Sequence, residues 1–143
     1  MSEEHKGIAR RALERIFGKG DHDVADEVYS PDFQDHDPNA PEEMRRGPDG
    51  VKQQAAMYRE AFPDLEVAVE EQIAEGDLVV TRWAARGTHQ GDLMGVPGTG
   101  NTVEITGITI GRISGGQIQE EWTHWDGLGM MQQIGAIPEE QRT

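Results

Sequence analysis

The chain has 143 residues, with 27 acidic against 13 basic side chains for a net charge of −14, and no cysteine. That length suits a single domain with a self-sufficient core. The missing cysteine excludes disulfides, a thiolate nucleophile and a cysteine-based zinc site, and the acidity argues against nucleic acid and anionic membranes as partners. The opening residues Met1 to Lys6 precede no apolar run, and no stretch is long and apolar enough to span a bilayer, so a cytoplasmic protein is expected. Lys6, Lys19 and Lys52 are the only lysines. The excess of acid leaves two readings open: an ordinary acidic protein, or adaptation to high salt.

Ile8, Ala12, Leu13, Ile16 and Phe17 recur at helical spacing and predict a first helix from about Glu3 to Phe17, stopped by Gly18 and Gly20. A short second helix is expected over Val24 to Tyr29, ended by Pro31. Residues 32 to 48 hold three further prolines and read as loop. Pro48 suits the first turn of a third helix, lined by Val51, Ala55, Tyr58, Ala61 and Phe62 and terminated by Pro63.

From there the period changes to two. Leu65, Val67 and Val69, continuing to Ile73, predict a first strand. After the turn Glu75-Gly76-Asp77 a second strand is expected over Leu78 to Arg86, then a glycine-rich loop over Gly87 to Thr99. Thr102 to Ile113 reads as a third strand with a bulge or bend near Gly107. Ser114-Gly115-Gly116 is a hairpin turn, Ile118 to Trp125 a fourth strand, and Gly127 to Ile134 a short closing helix or coil before a polar tail. Helices first and antiparallel strands after define an α+β pattern. Helices on one face of a curved sheet leave a cavity between the layers.

On the fourth strand, alternation places Ile118, Glu120, Trp122, His124 and Asp126 on one face. That set begins with an apolar residue and holds a large aromatic, so it is the expected inward face. Glu120, His124 and Asp126 are then candidates for acid–base work in a partly apolar site. Asp126 also precedes Gly127 and suits a helix cap; both readings stand at this point. His36, between Asp35 and Asp37, and His89, at the edge of the glycine loop, are candidate pocket histidines with turn chemistry as their alternative. His5 and His22 look solvated. The histidines and carboxylates show no metal-ligand spacing, and no nucleophile elbow, phosphate loop or dinucleotide fingerprint occurs.

Several segments together resemble one family. They are Phe33-x-x-His36-x-Pro38, Ala61-Phe62-Pro63-Asp64-Leu65, Gly87-Thr88-His89-x-Gly91, Gly95-Val96-Pro97-x-Thr99-Gly100, and Ile118-x-Glu120-x-Trp122 ending at Asp126, continued by Leu128 to Gly135. Their order and spacing are similar to the SnoaL-like polyketide cyclases, over roughly residues 8 to 135. The resemblance implies a nuclear-transport-factor-2-like cone with three N-terminal helices on a curved, mostly antiparallel sheet. The whole chain, 1–143, would be one such domain, with its core at about 5–135. It also implies a homodimer or homotetramer built through the outer face of the sheet. It implies intramolecular aldol ring closure of a small apolar carbonyl compound, with neither metal nor organic cofactor, and by position makes Asp126 the acid–base group. Trp122, Tyr58, Phe62, Trp83 and Phe33 are the expected apolar walls. Three alternatives remain on the same cone: a ketosteroid isomerase-like enzyme, an epoxide hydrolase-like enzyme needing Arg82 or Arg112 inside, and a non-catalytic binding module.

Overall fold

The computed structural model describes residues 2–137; the polar tail expected beyond them lies outside the described residues. Helix α1 runs Ser2–Arg11 and continues directly into a π-helical turn, Ala12–Phe17. Ala12 and Ile16 point into the core. The wide turn closes where Gly18 N donates to Leu13 O, five residues back, a geometry often found beside functional sites. Helix α2, Val24–Val28, leads without a loop into strand β1, Tyr29–Asp35.

Strand β1 corrects the expectation of a second helix to Tyr29 followed by loop. Pro31 argues against a central strand, but β1 is an edge strand, where a missing N–H costs no ladder bond. Its pairing with β5 is irregular between Tyr29 and Gln34, the stretch that contains Pro31.

Helix α3 spans Gly47–Ala61, with Pro48 in its first turn as the sequence predicts. Strands β2 (Glu66–Glu75), β3 (Leu78–Thr88), β4 (Thr102–Ser114) and β5 (Gln117–Trp125) follow, and helix α4 (Gly127–Gln133) closes the described chain. The sheet order is β1-β5-β4-β3-β2, antiparallel except for the parallel β1–β5 pair, and β1 and β2 remain as open edges. The result is an α+β fold with helices against a curved sheet that does not close into a barrel. No helix among the described residues is long and apolar enough to cross a membrane.

The expected bend at Gly107 is not there: β3 and β4 pair without a break from Leu78↔Arg112 to Thr88↔Thr102. Gly107 instead makes room for the Trp83 ring, which a Cβ at that position would strike. The bulges lie elsewhere. In β2, Val69 pairs with Trp83 and Glu71 with Arg82, leaving Glu70 as the extra residue. In β5, Ile118 pairs with Ile113 and Glu120 with Arg112, leaving Gln119 as the extra residue. Each bulge resets which parity faces the helices. For that reason Ile73 lies outside, 62 % exposed, although it seemed to continue the inward run of Val67 and Val69.

Candidate active site

A cavity opens between the helices and the inner face of the sheet, with about 910 Å³ of unfilled space including its mouth. Most of its wall is apolar: Phe17, Phe62, Val67, Ile105 and Met130 converge on it from five different elements or connections. Trp83 lies across the inner face, its Nε1–H donating to Thr109 Oγ1 at 3.0 Å, and Thr109 meets Thr123 at 3.0 Å.

Three carboxyl groups, Asp35, Asp37 and Glu121, line the cavity together with one basic group, Arg86. Asp35 and Glu121 are direct partners in the parallel β1–β5 ladder, and both line the cavity. Asp37 follows two residues on. The run Phe33, Asp35, Asp37 continues inward parity just beyond the strand, while Gln34 and His36 face out. Asp35 accepts from Gln54 Nε2 and from Asp37 N, both at 2.9 Å. Asp37, only 6 % exposed, accepts from Asn39 N at 2.8 Å and Trp125 Nε1 at 3.2 Å. The Tyr29 hydroxyl donates to both oxygens of Glu121 at 3.4 Å.

This crowding moves protons. Burial raises the Glu121 carboxyl to about 8; the Asp35 charge adds to the rise, the Tyr29 hydrogen bond opposes it, and Asp37 adds a smaller push. Glu121 is therefore largely protonated at neutral pH. Burial also raises Asp37, against the hydrogen bonds from Asn39 and Trp125. Tyr29 is raised by burial and then by Glu121, and Tyr58 by burial and then by Asp37 and Asp35, so both phenols stay protonated. A protonated carboxyl beside a second carboxyl group, under phenol donors, can give a proton at one point and take one at another. Among the described residues no group of carboxylates and histidines is arranged to hold a metal ion.

The inward face expected for β5 is corrected. Glu121, Thr123 and Trp125 line the cavity, and Glu120, Trp122 and His124 lie on the outer face. The cause is the bulge at Gln119: Ile118 faces inward as expected, but the extra residue after it shifts the alternation by one. His36 is also outside. Its Nε2 meets Glu120 Oε2 at 2.8 Å, its ring stacks on Trp122 at 5.2 Å, and the Arg112 guanidinium sits 5.7 Å from the centre of the same indole.

His89 is fully buried in the β3–β4 connection, against Phe62 and 3.1 Å from Thr99 Oγ1, and does not line the cavity. Asp126 is the N-cap of α4, accepting from Gly129 N at 2.8 Å, and does not line it either. Phe33 is a core residue, packed edge-on to Tyr29. Tyr58, Phe62 and Trp83 do line the cavity. Arg82 pairs with Glu71, and Arg112 with Asp77 and Glu120, on the outer face, so neither arginine stands inside as the epoxide hydrolase-like alternative needs.

A curved open sheet holding a cavity against its helices defines the nuclear-transport-factor-2-like class. Within it, residues 7–134 match the SnoaL-like polyketide cyclase model, and the chain belongs to that family. It is similar to the crystal structure of a protein described as a polyketide cyclase from Acidithiobacillus ferrooxidans, with 30% identity, TM-score 0.83, and 94% and 96% of the two chains covered. It is also similar to IdmH from Streptomyces antibioticus, likewise described as a polyketide cyclase, with 33% identity, TM-score 0.78, and coverage of 92% and 98%. A nuclear-transport-factor-2-like protein from Burkholderia pseudomallei shares the fold alone, at 17% identity and TM-score 0.71, with 92% and 98% covered. No curated protein matches the chain.

Proposed function

We propose that the chain catalyses cofactor-free proton transfer at the carbon beside a carbonyl of a polyketide-like substrate, leading to aldol-type ring closure. Asp35 is the base and protonated Glu121 the partner of the developing oxyanion. The observation that carries this reading is the Asp35–Glu121 pair: two carboxyl groups on adjacent strands, one held protonated, in an apolar cavity. Asp35 removes the α-proton. The enolate oxygen receives hydrogen bonds from Glu121 and from the Tyr58 hydroxyl, an arrangement that stabilises charge only as it develops. The enolate carbon attacks a second carbonyl of the same molecule, and the new alkoxide takes back the proton from Asp35. Enclosure between Trp83 and Phe62 orders the flexible substrate, which supplies much of the rate of such closures. Asp126 serves this site indirectly, by capping the helix that places Met130 on the cavity wall.

The test is exchange of the α-proton of a β-keto ester for deuterium, followed by NMR, alongside ring closure of a tethered dicarbonyl. Asp35→Asn and Glu121→Gln should each slow exchange by about 10²–10⁴-fold. His124→Ala and Asp126→Asn, the latter still able to cap, should not change it. Loss of exchange in Asp126→Asn with full rate in Asp35→Asn would transfer the acid–base role to Asp126. We also propose that the chain pairs with a second copy of itself through the outer face of the sheet.

A further inference from the structure

A row of hydroxyls crosses the otherwise apolar inner face of the sheet. Thr81, Thr109 and Thr123 are direct cross-strand partners on β3, β4 and β5, and the last two line the cavity. The indole N–H of Trp83 can only donate, so Thr109 Oγ1 accepts it, at 3.0 Å. Thr109 and Thr123 meet through their oxygens at 3.0 Å. Among the described residues neither side chain has a further hydrogen-bond partner. Two hydroxyl hydrogens thus share one bond, and one hydrogen is left over.

Burial decides where that hydrogen sits. Thr109 is 8 % exposed, whereas Thr123 is only half-buried. A spare donor costs least at the open end. The chain therefore runs from Trp83 to Thr109 to Thr123, with every bond pointing the same way and each strengthening the next. It ends in a hydroxyl that donates into the cavity. Thr123 stands two residues beyond Glu121 on the inner face of β5, about 7 Å along the strand.

Aldol closure develops negative charge on two oxygens in turn. The first is the enolate oxygen, which Glu121 and Tyr58 receive in the reading above. The second is the oxygen of the carbonyl under attack. We infer that the Thr123 hydroxyl is its partner, a catalytic donor that binds the acceptor carbonyl of the substrate and steadies the alkoxide formed there. This rests on the cavity being the site of ring closure, as proposed above. As the carbon–carbon bond forms, the carbonyl π pair moves onto oxygen. The alkoxide then takes the proton held by Asp35, and Thr123 keeps its own. The substrate class follows: a compound with two carbonyl groups, one beside an acidic carbon at Glu121 and one at Thr123.

The experiment compares two rates and one spectrum in the full chain. Thr123→Val and Thr123→Ala should slow ring closure of the tethered dicarbonyl by about 10²-fold. Both should leave α-proton exchange on the β-keto ester unchanged, and Thr123→Ser should restore most of the closure rate. The spectrum is the infrared carbonyl region of bound meta-dipivaloylbenzene, a neutral diketone with no α-hydrogen. One of its two carbonyl bands should move to higher frequency in Thr123→Val and return in Thr123→Ser. Full-rate closure in both hydroxyl-free variants would overturn the inference, as would exchange and closure falling together, carbonyl bands indifferent to Thr123, or failure of the diketone to bind. Exchange absent from the natural chain, with the band shift intact, would remove the role of the Asp35–Glu121 pair and keep the carbonyl subsite.

Discussion

Glu121 sits where burial and negative charge both favour its neutral form, and that has a thermodynamic consequence outside catalysis. An unfolded chain releases this proton near the ordinary glutamate value of 4.5, whereas the folded chain holds it to about 8. Between those values the native state binds more protons than the unfolded state, so stability falls as pH rises. One such group gives a slope of at most about 1.4 kcal/mol per pH unit. Asp37, also raised, adds to the loss at the acidic end of the range. Urea midpoints measured across this window should decline for the natural chain. Glu121→Gln, uncharged at every pH, should flatten the profile and be the more stable form above pH 8. Parallel profiles for the two proteins would show that Glu121 titrates as an ordinary surface carboxylate.

At the level of elements, strand β5 decides which side chains meet the cavity, and it does so through one residue. Removing Gln119 takes out the bulge while leaving Ile118 and Glu121 on the inner face, because the strand then alternates regularly between them. Deletion of Gln119 should therefore give a folded protein with a flatter strand, moderately lowered melting temperature and altered ligand affinity. Deletion of Thr123 should prevent folding, since it turns either the Glu121 side or the Trp125 side outward. Circular dichroism and thermal melts distinguish the two; equal tolerance would mean that the bulge does not set the register. The same residue explains what the sequence concealed. Helix limits, β2 to β5 and the turns between them were legible, because prolines, glycines and changes of period mark them. The inward face of β5 was not, because Gln119 has no composition signal of a bulge and one unmarked insertion inverts every side chain beyond it. Strand β1 was hidden by Pro31, which an edge position tolerates. Asp35 and Asp37 were in view as neighbours of His36, but the period-two run Phe33-Gln34-Asp35-His36-Asp37 places the aspartates inside and the histidine outside.

For the whole molecule, the outer face of the sheet presents a row that no helix among the described residues covers. Ile73, Val80, Ile110 and Trp122 are direct cross-strand partners in succession, and Ile108 beside them is 46 % exposed. A second copy pressed on this row buries it. Each copy, however, carries a net charge of −14, and two such bodies repel. Added salt shortens the range of that repulsion from about 10 Å at 0.1 M to about 3 Å at 1 M, while strengthening nothing that depends on cross-interface ion pairs. Dimerisation through an apolar row should therefore tighten as salt is raised, the reverse of an interface held by charge pairs. Sedimentation equilibrium over a series of NaCl concentrations should show a dimer that dissociates at low salt. Ile110→Glu, which places a charge at the centre of the row, should be monomeric throughout and keep its helical and strand content. A dimer that weakens with salt, or that persists in Ile110→Glu, would locate the contact somewhere other than this face.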